Sequence, residues 1–445
     1  MYGCALVLGM GTSGEAAARL LLGEGARVTV IDRAAGPALE ARAAALVREG
    51  AVVRLGCERV PAGVYDVCVA SPGVPPDAPW FRNLEAAGVA IVSELELGAT
   101  RCRCPMLAVT GSNGKSTLVK LCADSLRHAD RRAAEAGNYG APLCSVALGS
   151  DRLDWAVVET SSFQLERVRT FRPWVGVLLN VQPNHLDRHG SMGVYTDLKA
   201  RIFRRMLKED VGIVHDEMMG EIVARSGGAN RWVSFGASPE ADFRYADGGV
   251  SFGHGRVRRV LSFRGTVFAN PILGLTAAAA AAAAEACGID AEHVEAAARA
   301  FKPLPHRMQE AGVVRGVRCV DDSKATTLAA MRAALEITGG GVRLIAGGLL
   351  KESDLGVVKE LLAKRVRGVY LIGAAAQKML EAWQDVVVCK MCDCLSAAVD
   401  TALSEAVAGE TLLLAPGCAS FDQFRNFEER GDEFIRIIES KREEI

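Results

Sequence analysis

Residues 110–117 read Thr-Gly-Ser-Asn-Gly-Lys-Ser-Thr, and they lie between an apolar β-type run, Met106 to Val109, and an apolar-periodic segment, Leu118 to Leu126. Strand, glycine-rich loop, helix is the order of a phosphate cradle, and it commits the middle of the chain to an α/β layer. Gly111 and Gly114 let the backbone turn tightly, so that the N–H groups around Ser112, Asn113 and Thr117 can face an anion at a helix N-terminus. Lys115 can neutralise the outer phosphates, and the Ser116 hydroxyl is placed to ligate Mg²⁺. The spacing is shorter than GxxxxGK[ST], so the generic pattern fits only its second half. The expectation is a nucleoside triphosphate, bound with Mg²⁺.

A chain of 445 residues exceeds one hydrophobic core and predicts about three domains. Half of its residues are apolar and few are aromatic, which suits Ala/Val/Leu-rich α/β layers. A formal net charge of −1 argues against nucleic acid as a main partner. The longest apolar run, Ala277 to Ala284, falls far short of a membrane span, and no N-terminal h-region appears, so a cytoplasmic protein without a membrane partner is expected. Of the thirteen cysteines, Cys102/Cys104 and Cys392/Cys394 form C-x-C pairs with no histidine cluster beside them. An odd, scattered count reads as reduced thiols rather than a zinc site or a disulfide framework.

The N-terminal segment alternates strands and helices. Ala5 to Leu8 reads as a strand, Gly9-Met10-Gly11-Thr12-Ser13-Gly14 as a turn opening a helix to about Leu22, and Val28 to Ile31 as a strand ending at Asp32. That is a dinucleotide-type fingerprint, although the loop alone could hold NAD, another nucleotide diphosphate or nothing. Val67 to Ala70, followed by Ser71-Pro72-Gly73, would face the same sheet edge. The pattern weakens over Glu94 to Pro105, and Lys302-Pro303-Leu304-Pro305 breaks it again, which predicts domains 1–94, 95–302 and 303–445. In the middle segment Trp155 to Val158 and Val175 to Leu179 read as strands, Phe235 to Phe268 as a small antiparallel patch and roughly 275–301 as a helix pair. The last segment alternates again, with strands at Val342 to Ala346, Gly368 to Ile372 and Thr411 to Leu414. A mostly parallel sheet follows, with binding residues just after strand C-terminal ends.

Several polar clusters fall at such ends. Glu159 closes a strand beside the phosphate loop and suits an Mg²⁺ ligand. His185, in the run Asn180 to Asp187, suits a metal ligand or a hydrogen-bond donor, and Lys199 reads by default as a solvated helix lysine. His306-Arg307, Asp321 to Thr326, Gly347 to Asp354 and Ala415 to Phe424 bring cations and hydroxyls to strand ends, which would suit an anionic substrate.

In this order the motifs resemble the Mur ligase family, the amide-forming enzymes of peptidoglycan precursor synthesis, over nearly the whole chain. Thr110 to Thr117, Glu159-Thr-Ser-Ser-Phe-Gln-Leu-Glu166 and Asp322-Ser-Lys-Ala-Thr326 carry the likeness. The run Ala419 to Glu428 is similar to that of members that take D-glutamate, and Gly9 to Gly14 to their uridine-nucleotide loop, so no NAD is implied.

The resemblance implies three α/β domains: a Rossmann-like N-terminal nucleotide domain, a central P-loop-type ATPase domain with a parallel sheet, and a Rossmann-like C-terminal domain. It implies that ATP phosphorylates the terminal carboxylate of a uridine-linked alanyl sugar and that the amine of D-glutamate captures the acyl phosphate. Lys115 and Ser116 would hold the phosphates and one Mg²⁺, Glu159 would ligate metal, His185 would ligate a second metal, and Lys199 would be a further metal ligand. Lys199 matches the position carbamylated in the family. An ammonium about 4 Å from Mg²⁺ would be repelled by roughly 8 kcal/mol at an effective dielectric of 20, and a carbamate inverts that sign. Arg307 and Asp322 would touch ATP. Thr12, Ser13, Asp32, Arg33, Ser71 and Gly73 would hold the uridine diphosphate, with Asn138 nearer the sugar-alanine end. Thr326, Lys351, Ser420 and the backbone at Phe427 would receive D-glutamate. A monomer acting on small molecules is implied.

The chain departs from the family at Ile272 to Thr276, where a His-Asn-x-x-Asn run is frequent, and at Asn184, Thr327 and Leu350. Rival readings are another Mur ligase or a folylpolyglutamate synthase in the same fold, and an NAD(P)-dependent oxidoreductase. The oxidoreductase reading leaves the 110–117 loop unexplained.

Overall fold

The structure, a computed structural model, describes residues 1–75, 78–253, 258–350 and 354–443, with Asp187 described by its backbone only. Contacts divide the chain into two compact units, Met1–Val181 with Gly193–Ala300, and Gln182–Met192 with Phe301–Ile445. Among the described residues three α/β sheets form, two in the first unit and one in the second.

The first sheet comprises β1 (Cys4–Leu8), β2 (Arg27–Ile31), β3 (Val52–Arg54), β4 (Val67–Ala70) and β5 (Ala90–Ser93), in the order β3-β2-β1-β4-β5. Every pairing is parallel. The strand order reverses between β1 and β4, which opens a crevice beyond their C-terminal ends, and the 9–14 and 71–73 turns meet there.

The second sheet comprises β6 (Met106–Thr110), β7 (Ala133–Gly137), β8 (Trp155–Glu159), β9 (Val175–Leu178), β10 (Val211–His215), β11 (Arg231–Gly236), β12 (Phe243–Ala246), β13 (Gly249–Phe252) and β14 (Arg259–Ser262). Its order is β14-β13-β12-β11-β10-β9-β6-β8-β7. The antiparallel patch is narrower than the turn residues suggest: β12–β13 and β13–β14 run antiparallel, whereas β11 pairs parallel with both β10 and β12. Strand β6 is an interior strand and wholly buried, flanked by β8 and β9, so its phosphate loop emerges between the turns that follow those two strands.

The weak pattern at Glu94 to Pro105 conceals a helix, Glu94–Ala99, whose residues Glu94 to Gly98 are all buried. A helix covered on every side carries no amphipathic stripe to read, and two interior glutamates break the hydrophobic run. Glu96 is held by a nest of backbone donors: its carboxylate accepts from the N–H groups of Arg169 (3.0 Å), Thr170 (2.7 Å) and Phe171 (3.0 Å). The helix after the first sheet is thereby fixed to a loop of the second.

The second unit carries β15 (Gln309–Val314), β16 (Val317–Asp321), β17 (Val342–Gly347), β18 (Val366–Ile372), β19 (Cys389–Met391) and β20 (Thr411–Leu414), ordered β15-β16-β20-β17-β18-β19. Only β15–β16 is antiparallel. Apolar side chains cover both faces, with Trp383, Met331 and Leu362 in one layer and Phe434, Ile438 and Val399 in the other. All thirteen cysteines are free thiols. No helix among the described residues is long and apolar enough to cross a membrane.

Candidate active site

The phosphate loop is stitched to its neighbours before any ligand arrives. Thr110 Oγ1 donates to Thr160 O (3.0 Å), and Thr160 Oγ1 donates back to Val109 O (3.2 Å). Asn180, just beyond β9, accepts on Oδ1 from the N–H groups of Ser112 and Asn113 (3.0 Å each) and donates from Nδ2 to Asn113 O (3.2 Å). One side-chain amide thus mimics a strand pairing and sets the loop's curvature. Gly114, at φ +80°, is left-handed and precedes the helix Lys115–His128, a conformation that a side chain would strain. Lys115 Nζ donates to Gly111 O (3.0 Å) and Ser112 O (3.1 Å), so the ammonium curls over the loop.

Beneath this turn lies a buried acid. Ser116 Oγ donates to Glu159 Oε2 (2.5 Å), and Asn138 Nδ2 donates to Glu159 Oε1 (2.7 Å). Glu159 is 2% exposed. The donor set, a carboxylate and a hydroxyl beside an anion-binding helix end, consists of hard oxygens and fits Mg²⁺. Lys199 is 1% exposed rather than solvated. Its Nζ donates to Gly111 O (2.7 Å) and lies 4.5 Å from the centroid of the Tyr195 ring. Tyr195 Oη in turn is 3.2 Å from Ser112 Oγ. Burial, and then the nearby Lys115 charge, push the Lys199 amine well below the ordinary lysine value, against the pull of Glu159. Two amines converging on one carbonyl favour a neutral Lys199.

His185, in the other compact unit, has φ +55° and precedes the short helix Leu186–His189. A non-glycine residue in this region stores strain of order 1–3 kcal/mol, as residues at functional sites often do.

In the first sheet, Thr12 and Ser13 open the helix Thr12–Gly23, and a Cβ at Gly14 would lie 1.8 Å from Gly9 O. Glycine is required there because the helix crosses the strand end at backbone contact. Asp32 accepts from Met10 N–H on Oδ2 (2.7 Å) and from Ala34 N–H on Oδ1 (2.8 Å), so its carboxylate braces the loop. Arg33 lies over the Trp80 ring (5.0 Å to the centroid), and Ser71 Oγ donates to Gly9 O (3.3 Å). Gly73 lies in the turn closed by Val74 N–H on Ser71 O (3.1 Å).

In the second unit, Arg307 sits between two left-handed residues, His306 (φ +58°) and Met308 (φ +47°). His306 Nδ1 is 2.7 Å from Asp321 Oδ2, which raises the imidazole above its usual value. Asp322 accepts from Met308 N–H (3.1 Å), and burial pushes its carboxyl up to about 7 against the Arg307 charge. Ser323 Oγ donates to Phe427 O (2.8 Å), and the Lys324 ammonium lies 3.6 Å from the centroid of the Phe427 ring. Thr326 N–H donates to Lys324 O (2.8 Å), and Ser420 is buried at the foot of the turn after β20. Leu349 and Ala419 exchange backbone hydrogen bonds (2.8 and 3.0 Å), joining the turns after β17 and β20. Lys351 lies outside the described residues.

Each unit also holds groups that sequence reasoning passed over. Asn180 and Tyr195 shape the phosphate loop. Arg430, 1% exposed, donates to Ser323 Oγ (2.9 Å), Ser323 O (2.8 Å) and Cys418 O (3.2 Å), joining the turn after β16 to the turn after β20. Its signal was present: Arg430, Phe434, Ile437 and Ile438 follow the i, i+4, i+7, i+8 rule of one buried stripe, so an arginine in that row was an interior one. Asn270, near the altered 272–276 stretch, caps the helix Pro271–Ala286 by accepting from Ile272 N–H (2.9 Å).

Comparison with known proteins places the chain in a family. Residues 4–93 match the Mur ligase MurD-like N-terminal domain, 109–288 the Mur ligase middle domain and 306–418 the Mur ligase glutamate ligase domain. The UDP-N-acetylmuramoylalanine–D-glutamate ligase of Acidobacterium capsulatum is 37% identical over 97% of this chain and 95% of its own length. The enzyme of that name from Nitratidesulfovibrio vulgaris is 39% identical over 98% and 96%. A solved MurF ligase from Thermotoga maritima in complex with ADP shares the fold, with a TM-score of 0.62 at 16% identity over 94% of this chain and 95% of that one. The chain belongs to the Mur ligase family.

Proposed function

We propose that the chain is the ligase that joins D-glutamate to UDP-N-acetylmuramoyl-L-alanine at the expense of ATP, in peptidoglycan precursor synthesis. The observation that carries this reading is the meeting of Lys115, Ser116 and the buried Glu159 carboxylate at one helix N-terminus. Such a site binds a triphosphate and concentrates charge stabilisation where a phosphoryl group is transferred. The γ-phosphoryl passes to the L-alanine carboxylate, leaving ADP. The amine of D-glutamate attacks the acyl phosphate, and the tetrahedral intermediate expels phosphate to leave an amide.

Ser116, Glu159, His185 and Lys199 are the residues proposed to hold Mg²⁺, which when bound neutralises charge on the transferring group. Lys199 takes part as a carbamate. Its neutral buried amine is the form that reacts with carbon dioxide, and the product exchanges a repelled cation for oxygen ligands. Gly111 to Thr117, Arg307 and Asp322 serve ATP. Thr12, Ser13, Arg33, Ser71 and Gly73 serve the uridine diphosphate, with Asp32 bracing the loop and Asn138 set on Glu159. Thr326, Lys351, Ser420 and the Phe427 backbone serve D-glutamate. The division into a Rossmann-like domain 1–94, a P-loop-type domain 95–302 and a Rossmann-like domain 303–445 is supported by the presence of one sheet in each. The reading takes the enzyme as a cytoplasmic monomer acting on small molecules.

Phosphate release tests it directly. Purified protein with ATP, Mg²⁺ and UDP-N-acetylmuramoyl-L-alanine should release phosphate when D-glutamate is added, and the nucleotide should gain one glutamyl residue by mass. Equal release without D-glutamate, or a faster reaction with another amino acid from a panel, overturns the assignment.

A further inference from the structure

Cys102 and Cys104 lie in the segment that leads from the helix Glu94–Ala99 into β6. Their Sγ atoms are 3.5 Å apart. The turn is held from both sides: Cys102 N–H donates to Gly98 O (2.9 Å), and Arg103 N–H donates to Ser150 Oγ (3.0 Å). Cys102 is half-buried, whereas Cys104 is 7% exposed. This is the asymmetry of an attacking thiol backed by a resolving one. Two Cα–Cα steps of about 3.8 Å hold the α-carbons of residues i and i+2 close to the span that a disulfide bridges, and the sulfurs need to approach by only about 1.5 Å to bond. Spacing alone does not produce this geometry. In the other C-x-C pair, Cys392 Sγ turns instead toward Lys390 O (3.9 Å).

We propose that Cys102 and Cys104 form a reversible dithiol–disulfide site whose reactant is a low-molecular-weight disulfide. The contact between the two thiols draws Cys102 below the ordinary thiol range and, with burial, holds Cys104 above it, which raises the thiolate fraction of Cys102 at neutral pH. The Cys102 thiolate attacks one sulfur of the reactant R–S–S–R, breaking that bond and expelling R–S⁻. The Cys104 thiol gives its proton to the expelled thiolate and attacks Cys102 Sγ, which releases the second R–S⁻. Two protein thiols are oxidised to one disulfide and the reactant is reduced to two R–SH, with no other electron source required.

The sequence supplies an unambiguous readout. Trypsin cuts after Arg101, Arg103 and Lys115, so the bond would tie the dipeptide Cys102-Arg103 to the peptide Cys104–Lys115. The full chain is incubated with oxidised glutathione and a chelator, alkylated, digested without reductant and mapped by mass. The linked peptide is expected in most molecules and should vanish after dithiothreitol. Cys104→Ser should instead retain one glutathione on residue 102, and Cys102→Ser should give neither species. Absence of the linked peptide at an oxidant level that consumes the exposed Cys394 thiol overturns the proposal, as does glutathione accumulating on Cys102 of the parent chain without resolution.

Discussion

Replacing Arg430 by methionine separates what its guanidinium contributes to folding from what it contributes to geometry. The change removes the guanidinium donors from two buried carbonyls, Ser323 O and Cys418 O. Losing a buried hydrogen bond from a charged donor costs about 1–3 kcal/mol, so the two acceptors together account for about 2–6 kcal/mol. Against this, burial lowers the guanidinium from 12.5 to about 10. At about 1.4 kcal/mol per pH unit, holding that charge inside costs about 3 kcal/mol, which a methionine of similar reach does not incur. The two effects largely offset each other, leaving a net loss no greater than about 3 kcal/mol. Geometry has no such compensation, because the turns carrying Thr326 and Ser420 lose the fork that joins them. The KM for D-glutamate should rise at least about tenfold, some 1.4 kcal/mol of binding. The KM for the uridine nucleotide, whose candidate contacts belong to the first sheet, should change by less than about threefold. Urea denaturation and the coupled phosphate assay measure the two effects. An unchanged D-glutamate KM in folded protein refutes the positioning role, and a stability loss above about 5 kcal/mol refutes the balance of costs.

Burial pushes the Glu94 carboxyl from 4.5 up to about 7, and among the described residues its Oε2 has no hydrogen-bond partner. The folded chain therefore keeps a proton that the unfolded chain releases, and the associated stability is complete below pH 4.5 and lost as the pH rises through about 7. Between those limits Glu94→Gln should gain about 3 kcal/mol on the parent in urea titrations, and parallel pH profiles would contradict this. Gly14→Ala places a methyl 1.8 Å from Gly9 O. It should cost about 1–3 kcal/mol or more and raise the KM for the uridine nucleotide with kcat little changed; an unaltered KM in folded protein would count against that loop as the nucleotide site. Lys199→Ala should abolish turnover, with partial recovery on addition of a short carboxylic acid. Full activity without additive would remove Lys199 from the metal site.

The phosphate loop could be read in the sequence because its chemistry is local: glycine, lysine and serine at fixed spacing between a strand and a helix. The alternation of strands and helices was equally open, since β1, β6, β17 and β20 are apolar runs that stop at polar turns. What stayed hidden depends on long-range pairing. Glu96 looked like part of a weakening pattern until the 169–171 backbone closed on it, and Asn138 could not be set on Glu159 from twenty-one residues away. Lys199 illustrates the same limit. Its neighbours Lys115 and Gly111 lie more than eighty residues upstream, so its burial reads as exposure in any local window.

Eight consecutive alanines, Ala277 to Ala284, run through the interior of the helix Pro271–Ala286, and each is 5% exposed or less. That helix packs against the helix Lys115–His128 and against strands of the second sheet. Alanine has no rotamers to adjust, so an added methyl group there meets a wall that cannot rearrange side chain by side chain. The surplus volume has to be taken up by moving a whole element, and the helix that begins at Lys115 is one of those in reach. Enlargements along this seam should therefore register first as poorer nucleotide handling, ahead of any collapse of the structure, which makes the seam a remote tuning point for a site it does not touch.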